Sequence, residues 1–183
     1  MVTIGIDPGT TRIGYGVVEQ NGNRLSCVDY GILKVSNDKL TGFKDAEKEL
    51  DKLIKKYRPD QAGIEKLFFF KNQKTIMSVS EMRGVLLLTL AKHGVPIQEF
   101  TPLQVKQNVS AYGRAEKGQM QRIVQLLLGL NEPIRPDDAA DALAIAICCS
   151  NNKMWKLVEK INRGLDADKD AELAPKGFSE LSA

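Results

Sequence analysis

The patterning of this chain predicts an α/β fold: a five-stranded mixed sheet, three antiparallel strands followed by parallel ones, flanked by helices. Three observations predict it. Val2, Ile4 and Ile6 alternate with Thr3, Gly5 and Asp7, so the chain opens on a strand too rich in branched apolar residues to lie at a sheet edge. Two further extended runs follow across the turn signals Pro8-Gly9 and Asn21-Gly22, the order of an antiparallel meander. Apolar residues then switch to helical spacing and alternate with short buried runs, as right-handed crossovers onto parallel strands require.

Each element can be justified in turn. Pro8-Gly9 turns the chain and Arg12 to Glu19 resumes extended, a hairpin whose tip brings backbone amides close to Asp7. Arg24 to Val35 alternates as a third strand. From Leu40 to Tyr57, Phe43, Ala46, Leu50, Leu53, Ile54 and Tyr57 fall at helical spacing among Lys and Glu, and Pro59 stops the helix. Gln61 to Glu65 is short and apolar, and the strand, helix, strand order places it parallel to the first strand and beside it. Thr75 to His93 reads as a long helix ended by Gly94; its apolar arc is wider than one core face needs, so it sits centrally or meets a second subunit. His93, the only histidine, falls at the end of that helix, where the dipole favours it. Val95 to Phe100 is the fifth strand, and Thr101-Pro102 opens another helix by cap and first-turn proline. Ala111 to Gln119 is polar, basic and glycine-containing, a loop over the site. Gln119 to Leu130 returns to helical periodicity until Pro133 and Pro136 break it, and Asp138 to Ser150 is a nearly all-apolar helix packed flat on the sheet. Residues 1–150 thus form one domain, and 151–183 a last amphipathic helix, Asn152 to Arg163, with a mobile acidic tail.

With 183 residues, 43% of them apolar, the domain can bury a full core without disulfides. Three cysteines cannot all pair; Cys148 and Cys149 in an apolar run and Cys27 in a strand read as small buried hydrophobes of a reducing compartment. No opening segment has the order of a signal peptide, and no apolar run approaches the ~20 residues that span a bilayer, so the expectation is a cytoplasmic protein without a membrane partner. The net charge of +3 is uneven: Leu165 to Ala183 holds five acids against two bases, which leaves the globular part moderately basic. That balance is compatible with a polyanionic partner and does not require one.

The chemistry-bearing residues are carboxylates. Asp7 ends the first strand and Glu65 its parallel neighbour, while Asp137-Asp138-Ala139-Ala140-Asp141 opens the last sheet-packed helix. Read separately, Asp7 caps a Pro-Gly turn and Asp138 with Asp141 forms an ordinary capping arrangement. Read together, Asp7, Glu65, Asp138 and Asp141 converge at one end of the sheet, and four like charges cannot share a pocket without cations. Hard oxygen ligands with no cysteine or histidine nearby point to Mg²⁺ or Mn²⁺, two ions rather than one, the arrangement of metal-assisted phosphodiester hydrolysis. Three consecutive aromatics, Phe68, Phe69 and Phe70, cannot all face one core; one of them projects as a base-stacking platform beside Lys71 and Asn72, or the next helix covers it.

At these residues the chain resembles the RuvC family of Holliday-junction resolvases, within the ribonuclease H-like superfamily. The resemblance covers about Val2 to Cys149 and rests on Gly5-Ile6-Asp7-Pro8-Gly9 with Gly14-Tyr15-Gly16-Val17, Ile64-Glu65 with Phe68 and Lys71-Asn72, Arg83-Gly84, Gln104-Val105-Lys106-Gln107, Ala115-Glu116-Lys117, and Asp138-Ala139-Ala140-Asp141 with the apolar run to Ala146. It implies a ribonuclease H-like fold, with Asp7, Glu65, Asp138 and Asp141 as catalytic metal ligands. Phe68 would stack on bases at the crossover, and Lys106 and Lys117 would hold phosphates. Lys71, Asn72, Arg83 and Arg114 complete the DNA-binding set on this reading. The implied activity is Mg²⁺-dependent paired nicking of a four-way junction by a homodimer that works with a branch-migration motor, in recombination and repair. The chain departs from the family's usual pattern at Thr10 to Ile13, at Ser80-Glu81-Met82, at the bulky Phe69 and Phe70, and in the additional acid Asp137.

Three other classes share parts of the pattern. Ile6-Asp7 with Gly9-Thr10-Thr11 also resembles the first phosphate loop of actin-like ATPases and sugar kinases, but those need a second lobe and have no role for the final acidic pair. A short YqgF-like nuclease lacks the Phe and Lys-Asn segment. A silent junction-binding scaffold would not need all four acids.

Overall fold

The computed structural model describes residues 1–67, 73–110 and 116–151. Five strands, β1 (Val2–Asp7), β2 (Arg12–Asn21), β3 (Arg24–Lys34), β4 (Gln61–Glu65) and β5 (Ile97–Phe100), form one sheet in the order β3-β2-β1-β4-β5. β1 pairs antiparallel with β2 and parallel with β4, which pairs parallel with β5. The mixed five-stranded sheet is therefore as its patterning predicts, with the opening strand at its centre. The helices are α1 (Lys39–Tyr57), α2 (Gln73–Lys92), α3 (Pro102–Ser110), α4 (Lys117–Leu127) and α5 (Asp137–Asn151).

Alternation along β1 divides the molecule into two cores. Ile4 and Ile6 pack with Leu50 and Ile54 of α1 and with Leu86 and Leu90 of α2. The opposite face carries α5, with Leu143 and Ile147 packed against Val105 and Val109 of α3 and Met120 and Val124 of α4. On that face β1 has small or polar residues because α5 lies almost in contact with the backbone. A Cβ at Gly5 would stand 2.1 Å from the Ala142 carbonyl oxygen, and one at Gly14 of β2 only 2.0 Å from that of Asp138. The far end of α5 is tied by a buried polar row. Ser150 Oγ donates to Thr3 Oγ1 at 2.9 Å, Gln61 Nε2 donates to the same atom at 3.0 Å, and Gln98 Nε2 donates to Gln61 Oε1 at 2.9 Å. Each buried group finds a partner, which is what makes polar residues tolerable there.

α1 ends at Tyr57, ahead of Pro59 as expected, while the bounds of several other elements differ from expectation. Arg58, disfavoured from the right-handed helical region by Pro59, closes α1 in the left-handed conformation (φ 45°, ψ 59°) and donates its N–H to Ile54 O. The loop predicted over Ala111 to Gln119 ends early: Glu116 precedes α4, its N–H bonded to Gln119 Oε1 at 3.2 Å, so Lys117 stands at the start of a helix. α5 begins one residue earlier than predicted, which puts Asp138 inside the first turn rather than at the cap. His93 lies just past α2 and pairs with Asp51 of α1 at 2.9 Å. The fifth strand starts at Ile97, since Pro96 cannot donate to the ladder. The helix predicted over Asn152 to Arg163 and the acidic tail lie outside the described residues.

Candidate active site

Parallel pairing of β1 with β4 aligns Ile6 with Ile64, so the next residues, Asp7 and Glu65, end side by side at the carboxyl edge of the sheet. Their carboxyl groups share a hydrogen bond. Asp7 is also the ladder partner of Gly14, on which the Asp138 backbone rests, while Ser150 sits over Thr3. α5 therefore runs antiparallel to β1 and brings its N-terminal turn, with Asp137 and Asp138, to the same edge; Asp141 follows one turn on. The positive end of the helix dipole favours anions there.

Asp7, Glu65 and Asp141 are all pushed above the ordinary carboxylate range. Burial, then the charges of Glu65 and Asp141, push the Asp7 carboxyl up to about 8, and Asp138 adds to the effect. Burial likewise raises Glu65, against the hydrogen bond from Asp7. Asp141 is raised by burial and held back by Lys117. Such a set is costly to ionise without cations.

Side-chain cations border the acids. Arg12 Nη2 lies 3.0 Å from Asp138 Oδ2, and Lys117 Nζ lies 3.2 Å from Asp137 Oδ2 and 3.5 Å from Asp141 Oδ2. Asp137 also accepts from Gln121 Nε2 at 2.9 Å, which turns this additional acid towards α4 and away from Asp7. Arg83, only 16% exposed, donates from Nε to Glu65 O at 3.1 Å and pairs through Nη2 with Glu99 at 2.6 Å. Its guanidinium is committed to the ends of β4 and β5. Lys106 and Lys117 line, with Glu65 and Asp141, a pocket of about 240 Å³ whose floor is Val105, Met120 and Ile145. Phe68, Lys71, Asn72 and Arg114 lie outside the described residues.

The donor set fits a divalent ion in kind, since every candidate ligand is a hard carboxylate oxygen and Cys148 and Cys149 are buried elsewhere in α5. Among the described residues no three such side chains stand as a closed cage, while Arg12 and Lys117 engage Asp138 and Asp141. The four carboxylates singled out in the sequence lie together at one edge of the sheet, with Lys106 and Lys117 beside them. Sequence reasoning missed Arg12, Gln121 and Glu99, because their partners are brought near only by the packing of α4, α5 and β5.

The sequence model of the family described as crossover junction endodeoxyribonuclease RuvC matches residues 3–149. The chain belongs to the RuvC family. It is 52% identical over 153 residues to the crossover junction endodeoxyribonuclease RuvC of Petrotoga mobilis, covering 82% of this chain and 94% of the relative. It is 44% identical to that of Fusobacterium nucleatum over 100% of this chain and 95% of the relative. Among solved structures, a Thermus thermophilus RuvC superposes with a TM-score of 0.74 at 32% identity, covering 81% of this chain and 92% of the other. A T. thermophilus RuvC in complex with Holliday junction substrate gives 0.73 at 30%, with the same coverage. The yeast mitochondrial Holliday junction resolvase Ydc2, at 14% identity and a TM-score of 0.57, shares the fold.

Proposed function

We propose that this RuvC-family chain is a structure-selective endonuclease that resolves four-way DNA junctions by paired symmetric nicks, acting in the cytoplasm in recombination and repair. The observation that carries this reading is the convergence of Asp7, Glu65, Asp138 and Asp141 at one edge of the sheet, where burial first, and then the neighbouring carboxylates, push the Asp7 carboxyl up to about 8. Family membership supplies the substrate. When present, two Mg²⁺ ions, for which Mn²⁺ substitutes, would neutralise this charge, activate the attacking water and stabilise the leaving oxygen. Asp7, Glu65, Asp138 and Asp141 are the residues that would hold them.

The rest of the work falls to the chain's own cations. Lys106 and Lys117 border the acids from α3 and α4, where they can take the oxygens of the phosphate being cut and of its neighbour. Asp137 and Gln121 steady this corner of α4, and Arg83 fixes the end of β4 so that Glu65 stays beside Asp7. This geometry favours a positioning role for Arg83 over a direct DNA contact.

A homodimer belongs to the same reading. Met77, Glu81, Gly84, Leu88 and Ala91 form an exposed, largely small or apolar stripe along α2. A two-fold junction is matched by an isologous contact that carries two identical sites. A branch-migration motor is the further partner that the family resemblance implies.

The test is cleavage of a synthetic mobile junction with mapped nicks, with Mg²⁺ and without. Symmetric nicks that need the ion are expected from the native chain, and Asp7→Asn should bind the junction but cut it at least ~10³-fold more slowly, the scale of removing essential charge stabilisation. Metal-independent cutting, or loss of binding in parallel with cutting, would refute this assignment.

A further inference from the structure

Two adjoining hollows run along the outer side of α4. One, of about 690 Å³, opens at the acidic turn of α5 and carries Arg12, Lys117 and Arg135; the other, of about 480 Å³, carries Arg122. They share Gln121, Pro133 and Ile134, so they adjoin as one trench that begins at Asp137 and Asp138 and ends beside Arg122. Its cations fall into two kinds. Arg12 and Lys117 are already paired with Asp138, Asp137 and Asp141. Arg135 and Arg122 are exposed, and among the described residues neither has a carboxylate within ion-pair distance.

Two exposed guanidinium groups outside any close ion pair among the described residues, Arg135 with only the longer-range charge of Asp137 acting on it, attract a ligand with regularly spaced negative charge. The planar fork of arginine matches phosphate oxygens in pairs, and Gln121 and Asn131 on the walls add neutral donors. The trench starts at Asp138 and Lys117, on the border of the acidic site, and Lys117 also lines the hollow that holds Glu65 and Asp141, so a strand leaving that site can continue into it. We infer that the α4 trench is a second phosphate track, in which Arg135 and Arg122 grip backbone phosphates of the cut DNA strand on one side of the nick. This inference rests on the junction-nuclease reading and adds a contact site outside its reacting centre.

The test measures junction affinity against salt in EDTA, so that the strand stays whole. Each phosphate contact contributes about 0.9 to the log–log salt slope. Arg135→Gln and Arg122→Gln should each flatten the slope by about that amount, and the double variant by about twice as much. Lys44→Gln, an equal charge change on α1 across the sheet, should leave it as in the native chain. In addition, neutral methylphosphonate linkages placed one at a time along the cut strand should weaken binding of the native chain at one or two positions beside the nick. At one of these positions the loss should vanish in Arg135→Gln. Slopes no flatter than that of Lys44→Gln, or linkages that cost the native chain and Arg135→Gln alike, would overturn the track while leaving the nuclease reading intact. A native chain that binds no junction at all overturns that reading first, and the track with it.

Discussion

Asp7 ends a central strand, where burial and the neighbouring carboxylates raise its pKa from 3.8 to about 8. An acid whose folded-state pKa stands above its unfolded value binds its proton more tightly when folded. Its favourable contribution is complete below pH 3.8 and is lost as the pH climbs towards 8. Without divalent ions, Asp7→Asn should therefore melt at a higher temperature than the native chain at pH 8, and the gain should shrink as the pH falls towards 4. At ~2–4 °C per kcal/mol for a chain of this length, the difference at pH 8 amounts to several degrees. Added Mg²⁺ should raise the native melting temperature and move Asp7→Asn much less. Thermal melts across this pH range, with EDTA and with Mg²⁺, read both effects; a lower melting temperature for Asp7→Asn at every pH would make the residue structural. Asp7 and Glu65 stand out in the sequence because the first ends an alternating apolar run and the second a short buried one. The division of labour between Asp137 and Asp138 is not, because both occupy the first turn of α5 and only Gln121 and Lys117 of α4, remote in sequence, turn Asp137 away.

α5 is the element that converts sheet order into a site, and its height above the sheet is set by what β1 and β2 leave out. The predicted packing of an apolar helix flat on the sheet is correct, but periodicity alone does not say how closely it lies. Gly5 and Gly14 hold that information: added Cβ atoms would meet α5 carbonyl oxygens at 2.1 and 2.0 Å. Neither obstacle is a side chain that can swing aside, so the helix must lift. Gly5→Ala should cost about 3 kcal/mol, the upper part of the usual penalty for overpacking. Gly14→Ala displaces the turn that carries Asp138, so its loss of cutting should exceed what its loss of folded protein explains. Gly118→Ala, where the new Cβ meets nothing within 4 Å, should be neutral or slightly stabilising by virtue of better helix propensity. Urea unfolding of the three variants, with single-turnover cutting by Gly14→Ala under conditions where it remains folded, checks the argument. Equal stability for Gly5→Ala and Gly118→Ala would mean that α5 floats free of the sheet.

At the scale of the whole molecule, α2 has two faces with different requirements. Met82, Leu86 and Leu90 are buried in the core beneath the sheet, whereas Met77 is 67% and Leu88 58% exposed, with open space beside Gly84 between them. The breadth of this apolar arc is legible in the sequence; which part faces outward depends on how α1 covers the helix. In the proposed homodimer, a second copy laid along the same stripe would make a self-complementary contact, since the small residue at Gly84 would let two helices approach closely and Leu88 of each fill the space beside it. Leu88→Glu places like charges at the centre of that contact, where they are costly to desolvate, without touching either core. It should leave the melting of the domain close to native but shift sedimentation to monomer at micromolar concentration. Cutting should change in kind as well as in rate. A dimer presents two sites to two symmetric strands in one complex, whereas a monomer cuts one strand and must rebind for the other, so junctions treated with Leu88→Glu should accumulate singly nicked product before resolved arms. A Leu88→Glu chain that still sediments as a dimer and releases paired nicks together would move the interface away from α2.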